Sequence, residues 1–187
     1  RNRLLSQEIK KVLNALKIRS SENKIINLIK KHDHIFYVKN PIKNNYGGIG
    51  FNNSLFLYTF INSISLNNII ESGVWQGYTT FLFDQYYKKV KKISFDINFC
   101  KVIYKSENSQ YCNYDIKNYD FNKKLISNKT LSFFDDHVSQ LDRLKLSDRL
   151  KIKYIVFDDD VNYSTTHSDG WPSIPTISML SSKNQFP

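Results

Sequence analysis

Carboxylates recur in this sequence directly after short apolar runs. "NIIESG" carries Glu71 and Gly73, "ISFDIN" reaches Asp96, and "QYCNYD" ends on Asp115. "LSFFDDH" leads into Asp135, Asp136 and His137, and "YIVFDDD" ends on Asp158, Asp159 and Asp160. One acid at the end of an apolar run is ordinary. Five in succession set like charges along one rim, and such charges need partners or a cation. The two double-acid ends have the donor chemistry for a hard divalent cation. In the bland alternative they cap a helix and open a solvated loop, with His137 a hydrogen-bonding residue beside them.

The first of these ends reads E-x-G-x-x-x-G, made by Glu71, Gly73 and Gly77 in a chain with only six glycines. Gly73 would let the backbone approach a ligand, and Gly77 would let the following helix pack close to the strand. A plain turn is the other explanation. The glycine pair two apart of the dinucleotide fingerprint is absent. Asp96 follows at roughly the 20-residue distance at which an acid meets a ribose diol. The bland alternative is that it caps a helix over "DINFCKVIY". Asp115 is a candidate for contact with a nucleobase amine.

Positioning these residues requires strands and helices in alternation. The expected strands are Asn68–Glu71, Lys91–Asn98, Gln110–Asp115, Thr130–Asp136 and Lys153–Asp160. Helices are expected over Tyr78–Val90 and "VSQLDRLKLSDRL", and alternation of this kind implies a parallel sheet. In such sheets ligands bind beyond the carboxyl ends of the strands, where every one of these acids lies. The predicted fold is therefore α/β, a Rossmann-like doubly wound and mainly parallel sheet. Before it come a helical lead-in and glycine loop (residues 1–50), and the main domain spans 51–187. The lead-in shows helical spacing at Leu4, Leu5, Ile9, Val12, Leu13 and Leu16, then a break at "RSSEN" with Ser20 or Ser21 as cap and a second helix through Ile29. "SLFLYTFINSI" reads as a buried helix. Packing of the lead-in on its own domain or on a second copy is expected, which makes a homo-oligomer through these helices a candidate.

Together "IIESGVWQGYTTFLF", "ISFDIN" and "YCNYD" resemble the first three motifs of class I S-adenosylmethionine-dependent methyltransferases, over about residues 67–160. The resemblance implies S-adenosylmethionine as cofactor: Glu71, Gly73 and Gly77 line its methionine moiety, Asp96 its ribose and Asp115 the adenine side. "FFDDHVSQLDRL" and "IVFDDD" are similar to the paired acidic strand ends of metal-dependent sugar O-methyltransferases and the cephalosporin hydroxylase-like group. That similarity implies Mg²⁺ on Asp135, Asp158 and Asp159, with His137 as base beside Asp135 and a sugar or glycan hydroxyl as acceptor. Asp136 is expected to turn outward, because neighbours on a strand alternate faces. The family adds two more strands, whereas only 27 residues follow Asp160. The carboxyl-terminal strands are therefore expected to be shortened or missing, which raises a non-catalytic, cofactor-binding relative as an alternative. The D-x-D pattern in "IVFDDDV" offers a third reading, a nucleotide-sugar glycosyltransferase.

Composition narrows the class. The hydrophobic content of 41% supports a packed globule, and no apolar run approaches a membrane span. Cys100 and Cys112 lack zinc or disulfide-framework spacing, so a reducing, cytoplasmic setting is expected. The net charge of +10 is mostly scattered Lys, and without a reader motif nucleic-acid binding is not favoured. His167 and Trp171 are candidate substrate contacts in the final loop, the glycine loop "NNYGGIGFNNS" a candidate lid, and His32 and His34 ordinary surface residues.

Overall fold

A computed structural model describes residues 1–86, 90–121, 126–161 and 175–181. Five short apolar segments pair as strands: β1 (Asn68–Ser72), β2 (Lys91–Phe95), β3 (Ser109–Cys112), β4 (Thr130–Phe134) and β5 (Tyr154–Phe157). All pairings are parallel, in the order β3-β2-β1-β4-β5. The chain starts at the centre, winds to one edge, then returns past β1 and winds to the other. That reversal between β1 and β4 makes the sheet doubly wound and Rossmann-like. The central strands are buried nearly throughout, β4 at every residue, whereas β3 and β5 are mostly half-buried. Near-continuous apolar runs suit strands covered on both faces.

The chain divides into two compact units. The sheet belongs to the second, which comprises residues 67–74, 90–100 and 109–187. It also holds α5 (Gln140–Arg149) and α6 (Ile177–Ser181), and its core joins Ile70, Ile93, Phe95 and Phe134 to Leu146 of α5 and to Ile152. No sixth strand occurs among the described residues.

The first unit comprises residues 1–66, 75–89 and 101–108. It contains α1 (Asn2–Ala15), α2 (Glu22–His34), α3 (Phe51–Ile61) and α4 (Tyr78–Tyr86). Ser21 caps α2, accepting from the Lys24 N–H, and the helix runs past Ile29 into a π-helical turn at Ile35–Lys39. His32 corrects the surface expectation. It is fully buried, its Nε2 lies 2.9 Å from the Ser54 hydroxyl, and Phe36, Phe51 and Tyr58 surround the ring. Burial lowers its pKa to about 4. Its spacing from Ile25, Leu28 and Ile29 puts it on the apolar stripe of α2, which charge-based reading overlooks. His34 is exposed. The glycine loop is tied within this unit, with the Trp75 Nε1–H donating to the Tyr46 carbonyl at 3.0 Å. No helix among the described residues is long and apolar enough to cross a membrane.

Candidate functional site

Register builds the rim. Ser72 of β1 lies beside Phe95 of β2 and Phe134 of β4, and Phe134 beside Phe157 of β5. The next residue of each strand therefore stands at one level across the sheet: Asp96, Gly73, Asp135 and Asp158. Each donates its backbone N–H to the neighbouring strand. Gly73 donates to the Phe95 carbonyl at 2.9 Å, and Asp96 to that of Cys112 at 3.2 Å. Asp135 donates to Ser72 at 2.8 Å, and Asp158 to Phe134 at 3.1 Å.

On the β1–β2 side the acids have protein donors. Asp96 Oδ2 accepts from the Val74 N–H at 2.8 Å, and Oδ1 from the Asn98 N–H at 2.9 Å. This asparagine-like turn replaces the helix that "DINFCKVIY" suggested, since residues 97–105 form none. Glu71 is 1% exposed and accepts from the Ser94 hydroxyl at 2.7 Å, so it braces β1 against β2 beneath the rim. Gly73 has φ +91°, and a Cβ there would sit 2.0 Å from the Asp135 carbonyl oxygen. The space a side chain would need is filled by the exit of β4. Gly77 lies in the first unit with φ +88°, where a Cβ would meet the Tyr104 carbonyl at 2.1 Å.

Asp115 and Asp136 converge on Arg143 of α5. The guanidinium donates to Asp115 Oδ1 and Oδ2 at 2.9 and 3.1 Å, and to Asp136 Oδ2 at 2.8 Å. The Ser72 hydroxyl also donates to Asp136 Oδ2. Asp136 therefore turns inward, contrary to the strand-alternation argument, because the chain has left the strand at Phe134 and a buried cation awaits it. Burial pushes Asp136 upward, and Arg143 and Ser72 pull against it. Partial burial also pushes Asp115 upward, but its bonds to Arg143 and to the Lys117 N–H outweigh this and hold it below the ordinary carboxylate value. Neither Arg143 nor Ser72 stands out in the sequence as a site residue. The available signal was a cation on the inward stripe of α5, with Gln140, Leu146 and Ser147.

The β4–β5 side is different. His137 Nε2 lies 3.2 Å from Asp159 Oδ2 and 3.8 Å from Asp135 Oδ1. One donor atom from each of Asp135, His137 and Asp159 falls within 4.8 Å of the others, close enough for one cation to touch all three. Asp158 is not in this trio, although its charge reaches Asp135. Burial first, then the charges of Asp158 and Asp159, push Asp135 well above the ordinary carboxylate range. His137 has φ 55°, an uncommon conformation for a residue with a side chain. Gln140 fixes the other wall: its side chain donates to the Asp159 carbonyl at 3.0 Å and accepts from the Ile177 N–H at 2.7 Å. Asp160 is taken up by α6, accepting from the Ser178 N–H and hydroxyl at 2.9 and 2.7 Å. His167 and Trp171 lie outside the described residues.

No family model matches the chain, and no curated protein or solved structure matches it. The geometry therefore carries the functional argument alone. Two kinds of chemistry are available on this rim: hydrogen bonding to a ligand at Asp96, and cation binding at Asp135, His137 and Asp159.

Proposed function

We propose that the chain is an S-adenosylmethionine-dependent methyltransferase acting on a hydroxyl of a sugar or glycan precursor, with a divalent cation at the acid–histidine trio. One observation supports this above the others. Gly73 and Asp135 meet backbone to backbone where the strand order reverses. The turn after β1 and the acid–histidine cluster therefore open side by side, as a transfer between two bound molecules needs.

When bound, S-adenosylmethionine supplies a methyl group activated by its sulfonium. Asp96 fits the ribose of such a cofactor. Its carboxylate stands at the carboxyl end of β2 beside Gly73, held in place by the Val74 and Asn98 N–H groups, which is where a ribose diol would meet an acid. Glu71 holds the base of the loop through Ser94 rather than facing outward. Asp115 serves Arg143, which makes it a support of the rim in this reading and not an adenine contact.

The donor set at the trio fits a divalent cation held by Asp135, His137 and Asp159, which would lower the pKa of a bound hydroxyl and orient its oxygen. Two carboxylates and an imidazole favour a transition metal that takes mixed nitrogen and oxygen ligands, such as Mn²⁺, over Mg²⁺, which prefers oxygen alone. His137 turns one nitrogen to both acids, so in the metal-bound form it is a ligand and not the base. The D-x-D alternative is weakened because Asp160 is engaged by Ser178.

Calorimetry tests the reading. The chain is expected to bind S-adenosylmethionine and its demethylated product, and Asp96→Ala to weaken both by roughly tenfold or more. An absence of heat with both ligands overturns it. Binding without turnover over a panel of sugar acceptors identifies a non-catalytic relative instead.

A further inference from the structure

The charge of +10 is not used by an acidic rim. A concentration of it lies along α5, around a groove of about 270 Å³. Lys117, Lys145 and Arg149 wall this groove, Val138 and Leu146 give it an apolar floor, and Asp142 is the acid in its lining. Arg143 also reaches the groove, but its charge is already committed to Asp115 and Asp136. Among the described residues neither Lys145 nor Arg149 forms an ion pair. They stand one turn apart on α5, where like charges repel unless an anion lies between them. Among the described residues Lys145 and Arg149 face one acid, Asp142, and Lys117, whose charge also reaches Asp115, adds to an excess that a multiply charged anion would relieve.

Val138 also lines the cleft that holds Asp135, His137 and Asp159, so the groove and the cleft are neighbours. We propose that the groove of Lys117, Lys145 and Arg149 binds the phosphate of a small-molecule substrate, whose hydroxyl then reaches the acid–histidine cleft. A guanidinium fork and two ammonium groups match phosphate oxygens, which a neutral sugar lacks. The substrate class becomes a phosphorylated or nucleotide-linked sugar. That last step rests on the methyltransferase reading, whereas phosphate binding by the groove does not.

The test is titration of the full chain at low salt with inorganic pyrophosphate, followed by amide NMR shifts. Glucose 1-phosphate and UDP separate a sugar phosphate from a nucleoside diphosphate, and glucose is the uncharged control. Pyrophosphate is expected to bind, to move amides around Lys117, Lys145 and Arg149, and to weaken as salt rises. Lys145→Glu with Arg149→Glu should lose roughly tenfold or more, while Lys10→Glu with Lys11→Glu on α1 should not. Lys145→Ala with Arg149→Ala, read by the same shifts and by the melting temperature, separates lost binding from lost folding. Pyrophosphate binding without any heat from S-adenosylmethionine keeps the groove and removes the methyltransferase. No pyrophosphate binding at millimolar concentration, shifts elsewhere on the surface, or a DNA duplex bound more tightly than pyrophosphate through these residues would overturn the proposal.

Discussion

Asp135 and Asp136 are neighbours in the chain, and their surroundings are opposite. Asp136 meets a buried guanidinium, a hydroxyl and the Val138 N–H. Asp135 meets two more acids and a half-exposed imidazole. The first cluster ties its two carboxylates to a shared guanidinium and a hydroxyl, with residues from three strand ends and one helix. The second gathers Asp135, Asp158 and Asp159 around one imidazole among the described residues. Such a difference separates carboxylates answered within the fold from carboxylates left among like-charged neighbours.

Removing Arg143 tests the structural half and has the largest expected effect. Arg143→Met leaves Asp115 and Asp136 facing each other without a cation, one of them deeply buried. Breaking a buried pair in this way costs about 3–5 kcal/mol, measured by urea denaturation. Adding Asp115→Asn and Asp136→Asn to the same variant should recover most of the loss, because no buried charge then remains. The pH dependence also changes at Asp115. Its lowered pKa contributes stability above the ordinary carboxylate range that is lost on acidification, and this contribution should vanish with Arg143. A loss below 1 kcal/mol would mean that the network is ornamental.

A second histidine sharpens the contrast. His32 is buried and aromatic-lined, whereas His137 is 49% exposed beside acids. With its pKa lowered from 6.5 to about 4, His32 takes up a proton more readily in the unfolded chain. Its contribution is intact above pH 6.5 and is lost as pH falls toward 4, about 3 kcal/mol in all. Stability measured across that window should therefore drop in the wild type. It should stay nearly flat in His32→Gln, apart from the carboxylate contribution. An equal drop in both proteins would place the acid sensitivity on the rim.

The strand ends were legible because a short apolar run followed by Asp or Glu is a local pattern. The sheet followed from alternation, and the level row of Asp96, Gly73, Asp135 and Asp158 follows from register. What sequence reasoning missed is long-range. Arg143 is 28 residues from Asp115, and nothing near either one announces the pair. The strand period misled at Asp136, since it stops applying once the chain leaves β4, and for the same reason His137 stands in the trio and Asp158 outside it. Gly73 was readable as a glycine that must approach something closely. That the nearest atom is the Asp135 carbonyl depends on the β1–β4 pairing, which one segment cannot disclose.

The smallest effect bears most directly on the unfinished cluster. Asp135→Asn removes a carboxylate that burial and the charges of Asp158, Asp159 and Asp136 oppose, so without metal the variant should be slightly more stable near neutral pH. Asp136→Asn weakens the Arg143 network and should be less stable. Addition of Mn²⁺ at about 100 times its dissociation constant should stabilise the wild type by about 2.7 kcal/mol. Asp136→Asn should keep most of this gain, and Asp135→Asn or Asp159→Asn should lose it. Thermal melting of the four proteins, with Mn²⁺ and with chelator, reads both differences at once. If the adjacent substitutions behave alike in both media, the division between a completed and an unfinished cluster fails, and the trio is only a solvated group of acids around an imidazole.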